Sequence, residues 1–168
     1  MKVAVVGASG YTGLELLRIL LRHPEFEISA ITSEQCAGRE VAEVFPALRG
    51  RLDLRFEAVD PASLAGRVEL AFTALPHAAS ARAVAALRGA GCRVVDLSAD
   101  FRIHSLATYQ QWYGEHPAPK LLAEAVYGLP ELHRDALRGA QLAAAPGCYP
   151  TSVLLPLAPV LRAGLVET

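Results

Sequence analysis

The sequence is short of several things, and each shortage narrows what the protein does. It carries only three cysteines, Cys36, Cys92 and Cys148, an odd number with no C-x-x-C pair, which argues against a disulfide framework and a thiolate zinc site. Their even spacing is not a repeat, because the flanks S-E-Q-C-A-G, G-A-G-C-R-V and A-P-G-C-Y-P do not match. Neither charge is in excess: 16 basic and 17 acidic residues leave a net charge of −1 and no long run of one sign. That excludes the electrostatic footprint of a nucleic-acid binder or of a protein held on an anionic membrane, and leaves a small molecule or another protein as partner. No stretch approaches the roughly 18 apolar residues of a membrane span. Met1 leads straight into a strand-like run, without the basic segment and long apolar core of a signal peptide, so a cytoplasmic protein is expected. Asparagine is absent, methionine occurs once and lysine is scarce beside arginine, a bias shared by thermostable proteins and by chains encoded in GC-rich genomes.

What remains is an apolar chain of 168 residues, long enough for one domain with a real core. Its hydrophobic fraction of 52% excludes glycine, whereas ordinary soluble domains reach about 45–50% with glycine counted. Either alanine accounts for the excess or some apolar surface meets a partner. Lys2–Val6 reads as a strand, Gly7–Gly13 as a turn, and the leucines from Leu14 to Leu21 recur at helical spacing until His23-Pro24. Phe26–Ile31 is a second strand, Thr32–Gly50 a loop with at most a short helix, and Leu52–Phe56 an edge strand. Val68–Ala74 and Arg93–Leu97 read as strands around a helix at Ala78–Leu87. Ser98–Arg138 reads as one long irregular loop, Gln141–Ala145 as a last strand, and Thr151–Leu165 as a helix kinked or broken by Pro156 and Pro159. Strands alternating with helices predict an α/β fold, a doubly wound parallel sheet of the Rossmann-like type, with its ligands beyond the carboxyl ends of the strands. Gly7–Gly13, Thr32-Ser33, Leu75–His77, Ser98–Arg102 and Pro146–Cys148 all fall at such ends, on one rim.

A strand that delivers Gly7-Ala8-Ser9-Gly10-Tyr11-Thr12-Gly13 into a helix is a phosphate-binding arrangement. Glycines permit the tight turn and close backbone approach, and the helix start faces the pyrophosphate with free N–H groups. A structural turn in a flavodoxin-like domain is the plainer alternative. The tip of the second strand reads Thr32-Ser33-Glu34, with Arg39 soon after. Hydroxyls and a guanidinium suit a 2′-phosphate, which favours NADP(H) over NAD, although Glu34 suits either cofactor or solvent. Leu75, Pro76 and Ser98, on the same rim, complete the candidate cofactor contacts.

Cys148 follows a Pro146-Gly147 bend at the end of the last strand, at what reads as a helix start, a position that stabilises a thiolate. A thiolate beside a nicotinamide suggests acyl transfer coupled to hydride transfer, with backbone N–H groups holding the oxyanion. An inert packed cysteine is the alternative, and is the expectation for Cys36 and Cys92. A free-standing NADP-sensing module with Cys148 inert also remains open.

The chain resembles the N-acetyl-γ-glutamyl-phosphate reductase family, of the semialdehyde dehydrogenase class. The resemblance rests on the Gly7–Gly13 turn, Ala74-Leu75-Pro76-His77, Asp96-Leu97-Ser98-Ala99-Asp100-Phe101-Arg102, Tyr127-Gly128-Leu129-Pro130-Glu131-Leu132 and Pro146-Gly147-Cys148-Tyr149-Pro150-Thr151. It implies NADPH-dependent reduction of N-acetyl-γ-glutamyl phosphate to the semialdehyde and phosphate through a thioester on Cys148. The Tyr149-Pro150-Thr151 continuation favours this arginine-biosynthesis substrate over the carrier-linked aminoadipyl phosphate of lysine biosynthesis. The family also implies a homo-oligomer and a second domain that supplies an acid/base histidine. On that basis residues 1–147 are expected to be the NADP-binding domain and residues 148–168 the start of a catalytic domain, in a chain that is the N-terminal portion of the enzyme and inactive alone. His77, on the cofactor-side turn, is a weaker proton-transfer candidate, and His104 and His116 are expected to be solvated or capping.

Overall fold

The computed structural model describes residues 1–166. Its first strand, β1 (Lys2–Val6), packs Val3 and Val5 into one core and Ala4 and Val6 into another, all fully buried. A strand covered on both faces has to be apolar at every such position, which is why K-V-A-V-V does not alternate in polarity. The helix α1 (Tyr11–Leu20) covers the first face with Leu17 and Leu20. The other face is covered by α3 (Ala79–Gly89), through Ala81, Val84 and Leu87.

Between them come β2 (Glu27–Thr32), the single turn α2 (Val41–Val44) and β3 (Leu70–Thr73). After α3 follow β4 (Arg93–Asp96), α4 (Leu106–Tyr113), β5 (Val126–Tyr127), α5 (Pro130–Gly139), β6 (Leu142–Ala144) and α6 (Cys148–Arg162). The six strands lie in the order β2-β1-β3-β4-β6-β5, and every neighbouring pair is parallel. The doubly wound sheet expected from the sequence is therefore the fold. All six carboxyl ends point to one edge, and the order reverses between β1 and β3, the crevice where such sheets bind ligands.

Three local expectations are corrected. Leu52–Phe56 is not a strand: it makes one isolated bridge, Arg55 with Glu40, and the next residue, Glu57, makes another with Thr32 of β2, while Phe56 turns fully into the core. Alternating polarity there reflects one-sided burial, without a ladder. Ser98–Arg138 is far from irregular, since it holds α4, β5 and most of α5. Pro156 and Pro159 do not break the last helix, which runs continuously from Cys148 to Arg162 and starts three residues earlier than expected. Proline removes the bonds to the carbonyls of Ser152 and Leu155, and both residues are exposed, so water can serve them.

None of the residues of α6 is buried, and Val153, Leu157 and Leu161 lie in solvent. Glu167 and Thr168, the end of the expected catalytic segment, lie outside the described residues. Among the described residues no helix is long and apolar enough to cross a membrane.

Candidate active site

The rim begins where β1 ends. Gly7 has φ +83°, a left-handed conformation, and a Cβ there would stand 2.8 Å from the Ala74 carbonyl oxygen, so glycine is required twice over. The turn is strapped to β2: the N–H groups of Gly7 and Ala8 both donate to the Thr32 carbonyl, at 3.1 and 2.8 Å. Gly13 is forced by contact alone, since its Cβ would fall 2.2 Å from the Ala8 carbonyl oxygen. Gly10 differs from both. It is the N-cap of α1 at φ −87°, and a Cβ there would meet nothing within 4 Å. No cap side chain bonds this helix end and no acid sits in its first turn. The N–H groups that open α1 are thus left for an anion, with room for it above Gly10, and the cradle fits a phosphate.

The tip of β2 frames this cradle. Thr32 is buried and its hydroxyl lies 3.3 Å from the Gly7 N–H, so it shapes the turn from beneath and does not face solvent. Ser33 donates from its hydroxyl to Ser9 Oγ at 2.7 Å and accepts from the Cys36 N–H at 3.2 Å. Arg39 is exposed, with its Nε 3.6 Å from the Glu43 carboxylate.

Two buried carboxylates build the middle of the rim. Asp96, last in β4, accepts from the hydroxyls of Thr73 (2.7 Å), Ser80 (2.5 Å) and Ser98 (2.6 Å). Ser98 Oγ in turn accepts from the Asp100 N–H at 3.1 Å, and the residue is 8% exposed. Its hydroxyl is consumed within the frame, so the expectation that the Ser98 side chain contacts a cofactor is replaced by a structural role. Asp100 caps α3 from a distant segment, accepting from the N–H groups of Ala78 (3.0 Å) and Ala81 (2.8 Å). Such a cap is needed because Ala78 supplies none and holds φ +62°, a conformation that costs a non-glycine residue energy. The same carboxylate accepts from the Tyr109 hydroxyl at 3.1 Å and lies 2.5 Å from His77 Nδ1. Burial, followed by the Asp100 charge, pushes the Tyr109 phenol well above its usual range. His116 is buried, not solvated. It accepts at Nδ1 from the Ala118 N–H, so Nε2 carries the proton and donates to the Asp100 carbonyl at 2.8 Å.

The thiol lies at the end of β6. Gly147 is the N-cap of α6, and Cys148 is its first residue, exposed and unbridged. Cys36 and Cys92 are buried, and burial, opposed by Arg88, pushes the Cys92 thiol up. Beneath the bend is a residue not singled out from the sequence, Arg102. Its Nε donates to the Ala145 carbonyl and its Nη2 to the Leu97 carbonyl, both at 2.8 Å. Its Nη1 has no acceptor among the described residues and would stand 3.0 Å from a Cβ at position 147. Gly147 thus leaves space for a fixed cation against the thiol turn. The available signal was the only arginine in Asp96–Arg102, a segment already placed on the rim. Three strand spacings, roughly 14 Å at about 4.8 Å each, separate the phosphate cradle after β1 from the thiol turn after β6.

Comparison with known proteins agrees with this geometry. The model of the semialdehyde dehydrogenase NAD-binding domain matches residues 2–140. A Geobacter sulfurreducens protein named N-acetyl-gamma-glutamyl-phosphate reductase is 55% identical over all of this chain and 49% of its own length. A Desulfotalea psychrophila protein of the same name is 52% identical over 99% of this chain and 48% of its own. The chain therefore spans about half the length of the curated relatives it matches. Among solved structures, the aspartate semialdehyde dehydrogenase of Candida albicans, with NADP, superposes with a TM-score of 0.66 at 18% identity, covering 96% of this chain and 46% of that one. A probable aspartate-semialdehyde dehydrogenase from Pseudomonas aeruginosa gives 0.60 at 27% identity, covering 96% and 42%. With the glycine cradle, the parallel sheet and a family match over most of its length, the chain belongs to the semialdehyde dehydrogenase NAD-binding domain family.

Proposed function

We propose that this chain is the cofactor-binding and thiol-bearing part of an N-acetyl-γ-glutamyl-phosphate reductase, which forms N-acetylglutamate semialdehyde and phosphate. The observation that carries the reading is Cys148: an exposed thiol at the first residue of a helix, on the same rim as the phosphate cradle, with the free Nη1 of Arg102 beneath its turn. The substrate comes from the names of relatives above 50% identity.

The residues present divide the work. The helix start after Gly10 takes the pyrophosphate of the cofactor, and the exposed Arg39 favours the 2′-phosphate of NADP(H), with Ser33 holding the β2 tip to the cradle through Ser9. Cys148 Sγ attacks the acyl carbon of the acyl phosphate, the bond to the phosphate oxygen breaks, and phosphate departs with the electron pair, leaving a thioester. Arg102, fixed by two carbonyls, directs Nη1 toward the negative charge of the phosphate, and the first N–H groups of α6 hold the carbonyl oxygen as it becomes an oxyanion. The nicotinamide, when bound, supplies the hydride that reduces the thioester. Cleavage of the carbon–sulfur bond then restores the Cys148 thiolate and releases the aldehyde.

His77 is not the proton carrier in this scheme, because its Nδ1 is tied to Asp100 and its Nε2 lies 3.4 Å from the Tyr109 hydroxyl. That group belongs to the half of the longer relatives that this chain does not span. Residues 1–147 then form the cofactor domain and 148–168 open the catalytic part. The exposed apolar side chains of α6 support packing against that half or against a second subunit.

Acyl trapping tests the proposal. Incubation of the protein with the acyl phosphate, without reductant, is expected to place one N-acetylglutamyl group on the peptide containing Cys148, read by mass spectrometry, and none in the Cys148→Ser variant. Acylation elsewhere, or equal acylation of both proteins, refutes the nucleophile assignment.

A further inference from the structure

One motif singled out from the sequence, Tyr127-Gly128-Leu129-Pro130-Glu131-Leu132, has no part in the scheme above. The structure sets its first residues against the strand that carries the thiol. Val126 lies opposite Ala143 and Tyr127 opposite Ala144, after which the Gly128 N–H donates to the Ala144 carbonyl at 2.8 Å. A Cβ at Gly128 would stand 2.9 Å from that carbonyl oxygen, and 3.2 Å from both the carbonyl carbon and Ala145 Cα. The φ of Gly128 lies outside the left-handed region, so contact alone demands glycine here. Neither side of the contact is free to yield. Ala145 is held from the opposite edge of β6, where its N–H donates to the Asp96 carbonyl and its own carbonyl accepts from Arg102 Nε, both at 2.8 Å. The strand β5 has only two residues, but Ala125 before it and Leu129 after it are buried and anchor its ends. The end of β6 is thus gripped between Gly128 and the Asp96–Arg102 segment, and the bend that follows presents Cys148.

We infer that Gly128 is a positioning residue for the acylation of Cys148: by admitting β5 to contact with Ala144 and Ala145, it sets where the thiol turn stands relative to Arg102 Nη1. The inference rests on the reading of Cys148 as nucleophile and adds to it the residue that fixes the thiol against the phosphate contact. The guanidinium of Arg102 has one anchor on each side of the gap, the carbonyl of Leu97 after β4 and that of Ala145 after β6. A side chain at position 128 displaces the second anchor and leaves the first in place, so the guanidinium has to tilt or release one carbonyl. The thiol and the cation then no longer meet the acyl phosphate together. A misplacement of about 1 Å in such a constellation costs roughly 100-fold in rate, and a shift of about half that is expected to cost roughly tenfold.

Two reagents applied to the 168-residue chain separate positioning from general damage. Acylation of Cys148 by N-acetyl-γ-glutamyl phosphate needs the phosphate contact, whereas alkylation by iodoacetamide, small and neutral, needs only an exposed thiolate. Gly128→Ala is expected to slow acylation about tenfold and to leave alkylation of Cys148 and NADPH affinity within about twofold of the parent. In an Arg102→Ala background the same substitution is expected to slow acylation far less, because the contact it misplaces is already gone. Equal slowing of both reagents, the same tenfold effect in both backgrounds, or undiminished acylation of folded Gly128→Ala overturns the positioning role and leaves Cys148 as nucleophile. Absence of acylation at Cys148 in the unsubstituted chain overturns both. If Gly128→Ala does not fold, hydrogen exchange in the unsubstituted chain decides. The N–H groups of Gly128 and Ala145 are expected to open together, with protection equal to within about tenfold, and faster exchange at Gly128 than that overturns the grip of β5 on the turn.

Discussion

Gly13 and Gly10 lie on the same turn, yet alanine at the two positions should act in opposite ways. Gly13 is inside α1, where alanine is ordinarily favoured over glycine by about 0.8–1 kcal/mol. Here the added Cβ would lie 2.2 Å from the Ala8 carbonyl oxygen, 2.4 Å from its carbon and 2.6 Å from Ala8 Cα. All three are backbone atoms, so no side chain can rotate away and the helix has to lift off the turn. Overpacking of a tight site costs about 1–3 kcal/mol, and a backbone contact this short belongs at or above the upper end. Overpacking therefore outweighs propensity, and Gly13→Ala should destabilise by about 2 kcal/mol or more, which for a domain of this size lowers Tm by roughly 4–8 °C. Gly10→Ala meets no atom within 4 Å and no forbidden φ, so its Tm should stay within about 2 °C of the parent. Its methyl group stands instead in the space assigned to the pyrophosphate, and NADPH affinity should fall about tenfold or more. Thermal melts of both variants, followed by cofactor titration, check the pair. A Gly13→Ala protein at least as stable as its parent would refute the close approach of helix and turn; undiminished NADPH binding by Gly10→Ala would refute the placement of the phosphate.

Three further outcomes follow from the rim. Asp96→Ala leaves the hydroxyls of Thr73, Ser80 and Ser98 without their shared acceptor and should cost about 3–5 kcal/mol in urea unfolding. Asp96→Asn, which keeps one acceptor oxygen, should cost clearly less. Under native conditions iodoacetamide should modify Cys148 alone, since Cys36 and Cys92 are buried and burial raises the Cys92 thiol further; mass mapping before and after unfolding reads this directly. The Arg67 guanidinium, chiefly by hydrogen bonding, lowers the Glu57 carboxyl below its ordinary 4.5, so the pair's stabilisation is present above that value and is lost as pH falls through the lower folded value. Because the pair is exposed, Glu57→Gln should cost less than about 1 kcal/mol at pH 7, and the difference should vanish in acid.

Much of the site was legible because its signals are local. The strand before Gly7, the leucine spacing after Gly13 and the Pro146-Gly147 bend each fix a backbone conformation within a few residues. The helix α4 was equally legible and was missed: Ser105 caps it, accepting from the Thr108 N–H, and Gly114 closes it at φ +80°. Length and aromatic content outweighed those two signals. For α5, Pro130 in the first turn and Arg138 in the last were also available. The two-residue strand β5 carried no such signal, because it exists only where β6 offers it an edge.

Local chemistry in the sequence determined the alternation of strands and helices, the glycine cradle and the position of Cys148 at a helix start, since each depends on residues within a turn of one another. Tertiary structure decided which side chains face a ligand. Thr32 and Ser98 read as ligand hydroxyls, but both are buried: the pairing of β1 with β2 brings the Gly7 N–H to the first, and the second turns back on Asp96 two residues before it. Arg102 reads only as the end of the Ser98–Arg102 rim segment, but the carbonyls of Leu97 and Ala145 lock it beneath the Cys148 turn. Gly7 lies 25 residues from Thr32 and Ala145 lies 43 from Arg102 in the chain, and no local pattern encodes a contact that only the closing of the sheet creates.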